Sequence, residues 1–281
     1  MSELVLASSL RLGFVGTGAI AGCIVTGLCG GSASTSLGSV VVSPRSASVS
    51  AKLAEQFPTL VTVAASNQAV VDSCDILFVC VLPAQLPDVL RELKIRESQM
   101  LVSLVSTSTL VGLLEMSGLP ESQIFKMICL PPVADGQGTC LMTPKGRSST
   151  LRSLFDSLGG TVECESEEAM QALMTVTCMM GPFYALMAQH RDFLAERGVP
   201  AADASYFIGR TYLSLAQKAH ADCGDPASFD RLVEENTPGG INEQAISNLR
   251  RLGAYAAYNA AMDGALERIQ GRGSGGRGGE S

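Results

Sequence analysis

The 281-residue sequence has few of the residues from which several common kinds of site are built. It contains two histidines, no tryptophan and no Cys-x-x-Cys pair, so a zinc site has little to be made from. Charged residues make up only 17% of the chain, and the net charge is −7. No excess of basic residues is therefore present to hold a nucleic-acid backbone. We expect no metal site and no nucleic-acid partner.

The nine cysteines are odd in number and scattered, and several lie in apolar runs, where a free cysteine behaves as a small hydrophobic residue. Scattered cysteines without an evident disulfide pattern are typical of proteins in a reducing compartment. The first ten residues carry no basic segment and no long apolar stretch, which argues against a signal peptide. The apolar run 70–82 is interrupted by two aspartates and is too short to span a bilayer. The sequence thus predicts a cytoplasmic protein without a membrane partner.

Close to its N-terminus, the chain contains a strand, a glycine turn and a helix in the order used to bind dinucleotides. An apolar run at 12–15 precedes a G-x-G-x-x-A pattern formed by Gly16, Gly18 and Ala21, and 19–28 is apolar and helical in pattern. Such glycines allow a tight turn and the close approach of a pyrophosphate to a helix N-terminus. A glycine-rich turn without a ligand has the same pattern. The predicted cofactor-binding residues of this turn are Gly16, Thr17, Gly18, Ala19 and Ile20.

The residues after the second predicted strand, 39–42, bear on the choice of cofactor. NAD-selective sites have a carboxylate at this point for the ribose 2′-hydroxyl, whereas an arginine accommodates a 2′-phosphate. Here the strand is followed by Ser43, Pro44, Arg45 and Ser46. A guanidinium and two hydroxyls match a phosphate, so Ser43, Arg45 and Ser46 favour NADPH over NADH. Arg45 also fits an ordinary exposed residue at a helix start.

Further strands are predicted at 60–63, 75–82, 100–105 and 124–128, with helical or polar stretches between them. Strands that alternate with helices predict a doubly wound, Rossmann-like α/β sheet. Because ligands bind at the carboxyl ends of such strands, the loop after the fourth strand completes the predicted cofactor site with Val81, Leu82 and Pro83.

Beyond about residue 166, only helical patterns remain, at 167–197, 201–221, 226–235, 243–251 and 254–270. We predict a dinucleotide-binding domain over 1–164, an all-α domain over 165–270 and a disordered Gly/Arg tail over 271–281. The pair Gly181-Pro182 predicts a kink near Met180, since proline removes a helical N–H group. The helical half is too thin to bury its apolar faces alone, which favours a homodimer through these helices.

Several segments together resemble the pyrroline-5-carboxylate reductase family, in the family's order and over about residues 11–268. The loop Thr237-Pro238-Gly239-Gly240 is similar to the family's Ser/Thr-Pro-Gly-Gly, although alone it also fits a helix connector. The other matching segments are Gly16–Gly18, Ser43–Arg45, Asp75–Pro83, Pro132–Gly138 and Gly181–Tyr184.

The resemblance implies NAD(P)H-dependent reduction of a cyclic imine carboxylate, Δ1-pyrroline-5-carboxylate, to proline, and thus a part in proline biosynthesis. It also implies a homodimer with intertwined helical domains, which in some members assembles into a ring. Backbone amides of the loop would hold the substrate carboxylate, with Pro238, Gly239, Gly240 and Ile241 as substrate-binding residues. Thr237 and Asn242 would orient the substrate as catalytic residues.

The chain also departs from the family at residues that face the substrate. Asn242 replaces a threonine, Ile241 a small residue, and Leu130 an asparagine beside the nicotinamide. Two alternatives therefore stay open: a reductase of a different cyclic imine or ketone, and a non-catalytic NAD(P)-binding sensor or scaffold. The β-hydroxyacid dehydrogenases share the layout but need a lysine one turn after a glycine on the helix between the domains. After Gly181 this chain has no lysine until Lys218.

Overall fold

The computed structural model describes residues 9–272, which form two compact units. The first unit comprises residues up to 174 together with 269–272, and the second comprises 175–268. The division thus falls ten residues beyond the boundary predicted after residue 164. Its physical reason is that Met170 and Met174 pack with Leu141 and Cys164 in an apolar cluster of the first unit. Of the predicted tail, residues 273–281 lie outside the described residues.

The first unit is built on a mixed sheet whose eight strands, among the described residues, run in the order β3-β2-β1-β4-β5-β6-β7-β8. All neighbouring pairs from β3 across to β6 are parallel, β7 runs antiparallel to β6, and β8 is parallel to β7. The chain reverses its direction of winding between β1 and β4, where such sheets bind ligands. The strands are β1 Leu10–Val15, β2 Leu37–Val42, β3 Val61–Val63, β4 Ile76–Val79, β5 Met100–Ser103, β6 Ile124–Ile128, β7 Cys140–Thr143 and β8 Thr161–Glu163.

Helices cover both faces of this sheet, because successive strand residues point to opposite sides. Phe14 and Phe78 stack 4.7 Å apart between their ring centroids on the face covered by α1, α2 and α6. Val15 and Val79 face α3, α4 and α5. The doubly wound α/β fold predicted from the sequence is therefore confirmed. The helices are α1 Ala19–Gly30, α2 Ala47–Gln56, α3 Asn67–Ser73, α4 Leu86–Glu92, α5 Leu110–Ser117 and α6 Ser149–Asp156.

The remaining described helices are α7 Glu167–Thr177, α8 Met180–Ala195, α9 Ala201–Ala221, α10 Ser228–Glu234, α11 Ile241–Arg251 and α12 Ala254–Ile269. The helix predicted over 167–197 is divided between α7 and α8 at residues 178–179. Pro182 lies in the first turn of α8, where its missing N–H group is not needed. The kink predicted near Met180 is thus a break between two helices.

One described helical stretch, 167–195, is long and apolar enough to cross a membrane by length and composition alone. The shorter apolar run 70–82, predicted to be too short for a bilayer, is divided between α3 and β4. A core helix of a soluble protein meets the same criterion, so length and composition do not place this stretch in a membrane.

Candidate functional site

Two glycines of the N-terminal turn have different structural roles. Gly16 has φ +90°, and a Cβ at this position would lie 2.7 Å from the carbonyl oxygen of Cys80. The fold itself therefore requires this glycine. Gly18 precedes α1 in an extended conformation, and a Cβ there would meet no protein atom within 4 Å. The missing side chain of Gly18 leaves space open in front of α1.

The N-terminus of α1 is free to receive an anion. Gly18 precedes the helix and, as a glycine, has no side chain that could cap it. The first turn of α1 also carries no acidic residue. The first N–H groups of a helix have no partner within the helix, and the dipole makes this end positive. A pyrophosphate fits both properties.

A buried hydrogen-bond network joins the turn to the end of β2. The Gly16 N–H donates to Ser43 Oγ at 3.0 Å, and Thr17 Oγ1 donates to the Ser43 carbonyl oxygen at 3.0 Å. Ser50 Oγ donates to the same carbonyl oxygen at 2.8 Å. Because Thr17 and Ser43 are almost fully buried, their hydroxyls fix the turn. The prediction that Ser43 binds a phosphate through its hydroxyl is therefore wrong, and Ser46 is the exposed hydroxyl of this segment.

Arg45 lies at the surface beside Gln85, a residue that the predicted site did not include. When the Gln85 amide oxygen faces Arg45, it lies 2.6 and 3.2 Å from the two terminal guanidinium nitrogens. Ser46 begins α2 with φ +63°, so it turns the chain next to Arg45. Gln85 belongs to a short 3-10 turn, Pro83–Gln85, directly after β4. The rule that ligands bind at the carboxyl ends of parallel strands places this loop at the crevice, but Gln85 was not among the residues predicted to bind the cofactor.

A crevice of 510 Å³ in the first unit brings most of the predicted cofactor residues together. Its volume is in the range of small-molecule sites. Ser43 and Pro83 are absent from its lining, whereas Cys80, Gln85 and Leu104 are additions to the predicted set. Burial raises the pKa of the Cys80 thiol to about 12, so this thiol stays protonated at neutral pH. The lining residues are Gly16, Thr17, Gly18, Ala19, Ile20, Arg45, Ser46, Cys80, Val81, Leu82, Gln85 and Leu104.

In the second unit, the predicted substrate loop connects α10 to α11. Thr237, Pro238, Ile241 and Asn242 are exposed there, with Ile241 at 84%. Gly239 has φ +71°, and its N–H donates to Glu243 Oε2 at 2.5 Å.

Gly240 is equally constrained in this loop. A Cβ on Gly240 would lie 2.8 Å from the Thr237 carbonyl oxygen, and its N–H donates to that oxygen at 2.9 Å. The resemblance implies that these N–H groups hold the substrate carboxylate, but in this structure both already have acceptors. Glu243 and the turn itself satisfy them.

Comparisons with known proteins extend over nearly the whole chain. Residues 11–107 match the family model described as NADP oxidoreductase coenzyme F420-dependent. Pyrroline-5-carboxylate reductase 3 of Xenopus laevis is 25% identical over 272 residues, which cover 92% of this chain and 95% of the relative. Pyrroline-5-carboxylate reductase of Escherichia coli is 26% identical, over 92% of this chain and 97% of the relative. The chain is therefore similar to pyrroline-5-carboxylate reductases over nearly its whole length.

The fold agrees with a solved structure as well. Plasmodium falciparum pyrroline carboxylate reductase with NADP bound superposes with a TM-score of 0.76 at 20% identity. The match covers 94% of this chain and 98% of that one. The resemblance predicted from the sequence motifs is thus confirmed.

Proposed function

We propose that this protein is a member of the pyrroline-5-carboxylate reductase family and uses NADPH to reduce a small cyclic imine. The observation that carries the proposal is the crevice over the N-terminal turn, where the open face of Gly18, the uncapped α1 terminus and Arg45 line one cavity. The similarity to pyrroline-5-carboxylate reductases supports Δ1-pyrroline-5-carboxylate as the substrate and proline as the product. Such an enzyme would serve proline biosynthesis.

The crevice offers a separate group for each charged part of NADPH. The α1 N-terminus and Gly18 would hold the pyrophosphate, and Arg45 with Ser46 would hold the 2′-phosphate. The end of β2 has no carboxylate for a ribose 2′-hydroxyl, so NADH has fewer partners here. When bound, the nicotinamide supplies the hydride, and the protein has to place it against the C=N bond.

The substrate loop would act through Thr237 and Asn242, whose exposed side chains can hydrogen-bond a ring nitrogen. A second candidate, the reduction of a different cyclic imine, is favoured by Ile241 and Asn242. The exposed isoleucine offers an apolar surface where the family has a small residue.

The test is NADPH oxidation, followed by the loss of NADPH absorbance, with Δ1-pyrroline-5-carboxylate and a panel of other cyclic imines. Oxidation that depends on an imine is the expected result. NADPH binding without oxidation on any imine would contradict an enzyme and favour the sensor alternative.

Replacing Arg45 with alanine tests the choice of cofactor. We expect Arg45→Ala to raise the NADPH Kd about tenfold, since one exposed charge-assisted hydrogen bond contributes about 1.5 kcal/mol, and to leave the NADH Kd within about twofold. Titration by fluorescence measures both constants. Lys52→Ala is the matched control, because it removes the same charge from an exposed position on α2 that does not line the crevice. Equal losses for both cofactors in Arg45→Ala would show that Arg45 does not bind the 2′-phosphate.

We also propose that two copies associate through the helices of the second unit. Large apolar side chains of this unit are exposed, which is unusual for a surface that stays in water. Light scattering at micromolar concentration should give twice the 29.3 kDa mass of one chain, or a larger multiple for a ring. A mass of one chain would contradict the proposal. The exposed apolar side chains of the second unit that could form this interface include Phe183, Tyr184, Phe193, Tyr206, Phe207, Leu215 and Phe229.

A cytoplasmic location is proposed from the cysteines. Among the described residues, eight cysteines are free thiols: Cys23, Cys29, Cys74, Cys80, Cys129, Cys140, Cys164 and Cys223. A chain with this many free thiols suits a reducing compartment.

A further inference from the structure

Glu243 occupies the part of the substrate loop that the resemblance assigns to the substrate carboxylate. Its Oε2 accepts the Gly239 N–H at 2.5 Å, while the Gly240 N–H donates to the Thr237 carbonyl oxygen at 2.9 Å. The resemblance assigns the carboxylate to the N–H groups of Gly239, Gly240 and the next two residues, and the two glycine N–H groups among them therefore already have acceptors. One of these acceptors is itself a carboxylate from the chain.

The local fold explains why Glu243 reaches this position. Gly239 takes a left-handed conformation, and Glu243 lies four residues later in the first turn of α11. A carboxylate in the first turn is stabilised by the positive end of the helix and can reach back to a loop N–H. This arrangement needs no ligand to complete it.

The charged residues around Glu243 do not compensate for the additional negative charge that a carboxylated substrate would bring to this loop. Glu243 lines a cavity of 300 Å³ together with Glu234 and Arg250, so two carboxylates face one guanidinium. A carboxylated imine would bring a third carboxylate to the loop, and like charges at contact distance disfavour binding. Ile241, exposed at the start of α11, instead offers an apolar surface to an uncharged ring.

We propose that Glu243 is a specificity-determining residue that disfavours imines bearing a carboxylate, so that the preferred substrates are cyclic imines without one. This inference rests on the proposed function of the loop. It decides between the two substrate candidates in favour of an uncarboxylated ring.

The test compares Δ1-pyrroline-5-carboxylate with 1-pyrroline, which differs from it by the missing carboxylate. We expect kcat/KM of the full-length protein to be at least about tenfold higher for 1-pyrroline, because like charges next to each other weaken binding. Glu243→Gln should raise kcat/KM for the carboxylated imine about tenfold through KM and change the value for 1-pyrroline less than about twofold. Glu234→Gln removes the same charge from the same cavity without touching Gly239, and it should change the ratio much less than Glu243→Gln does.

Binding of the saturated rings tests the same inference without turnover. Calorimetric titration of the NADP⁺ complex should show that Glu243→Gln tightens L-proline about tenfold and does not tighten pyrrolidine. A wild-type preference for the carboxylated imine, or equal proline affinities in wild type and Glu243→Gln, would overturn the role of Glu243. Failure of both imines to oxidise NADPH would instead overturn the proposed reaction, and the proline titration would still decide the role of Glu243.

Discussion

Gly18→Val is expected to raise the Kd for NADPH about 100-fold while the unfolding midpoint stays within a few degrees of wild type. Gly18 lies at the entrance of α1, and a Cβ placed on it meets no protein atom within 4 Å. Valine also tolerates the extended backbone of this position, where φ is −83° and ψ is −168°. The substitution therefore adds atoms to the crevice and removes no contact from the fold.

The size of this effect follows from the hydrogen bonds that the N–H groups of the crevice would donate to a pyrophosphate. Hydrogen bonds to a charged group contribute about 1.5–3 kcal/mol each. If the valine side chain keeps the phosphates away from two N–H groups of α1, the loss is roughly 3 kcal/mol, or about two powers of ten in Kd. Titration with NADPH measures this loss, and thermal unfolding without cofactor measures the fold.

Gly30→Ala is the matched control for this substitution. It adds a methyl group to the other end of α1, where the nearest atoms are the Phe57 ring carbons at 3.8 Å. Its NADPH affinity should equal that of wild type. An unchanged affinity in Gly18→Val would show that the dinucleotide does not lie over this turn, and the proposed cofactor site would be wrong.

Some elements have the bounds that the sequence predicts. The strand over 124–128 and the helix over 201–221 have the same bounds in the structure. In each of them, the apolar residues follow the pattern expected for a single strand or a single helix, and polar residues next to the pattern mark where it ends. β7 and β8 were not predicted. Each has only three or four residues, and β7 depends on antiparallel pairing to β6, which no local pattern encodes.

For the candidate site, the sequence predicts which loops lie together. It does not predict the direction in which each side chain points. The turn at Gly16 and the loop after β4 lie in one crevice, as the rule for parallel sheets requires. Ser43 shows the limit of this reasoning, because its hydroxyl bonds to the Gly16 N–H and not to the crevice. Glu243 shows it again, since its contact with Gly239 depends on a left-handed residue in the preceding loop.

Gly27→Ala is expected to destabilise the protein by about 2–3 kcal/mol, the cost of overpacking a close contact. At an ordinary position inside a helix, the same change would stabilise by roughly 0.5–1 kcal/mol, because alanine loses less conformational entropy than glycine. Gly27 lies within α1, and a Cβ on it would come within 2.2 Å of the Val133 carbonyl oxygen. It would also lie 2.8 Å from Leu158 Cδ2.

The obstacle is backbone, which cannot rotate away as a side chain can. Val133 belongs to the 3-10 turn Pro131–Asp135 after β6, and the same carbonyl oxygen accepts the Gly136 N–H at 3.3 Å. To admit a methyl group, either α1 or this turn must shift, together with the buried Val133 side chain. We therefore expect the unfolding midpoint to fall by roughly 5–10 °C, as scaled for a domain of this size.

Gly30→Ala again provides the comparison, since it adds the same methyl group three residues further along α1 without a close contact. Its midpoint should equal or slightly exceed that of wild type. The two alanine variants thus separate helix propensity, which favours both, from the close packing of α1 on the turn after β6, which penalises one. If Gly27→Ala unfolds at the same temperature as Gly30→Ala, α1 does not approach this turn as closely as the structure shows. The position of α1, whose N-terminus lines the nucleotide crevice, would then be wrong.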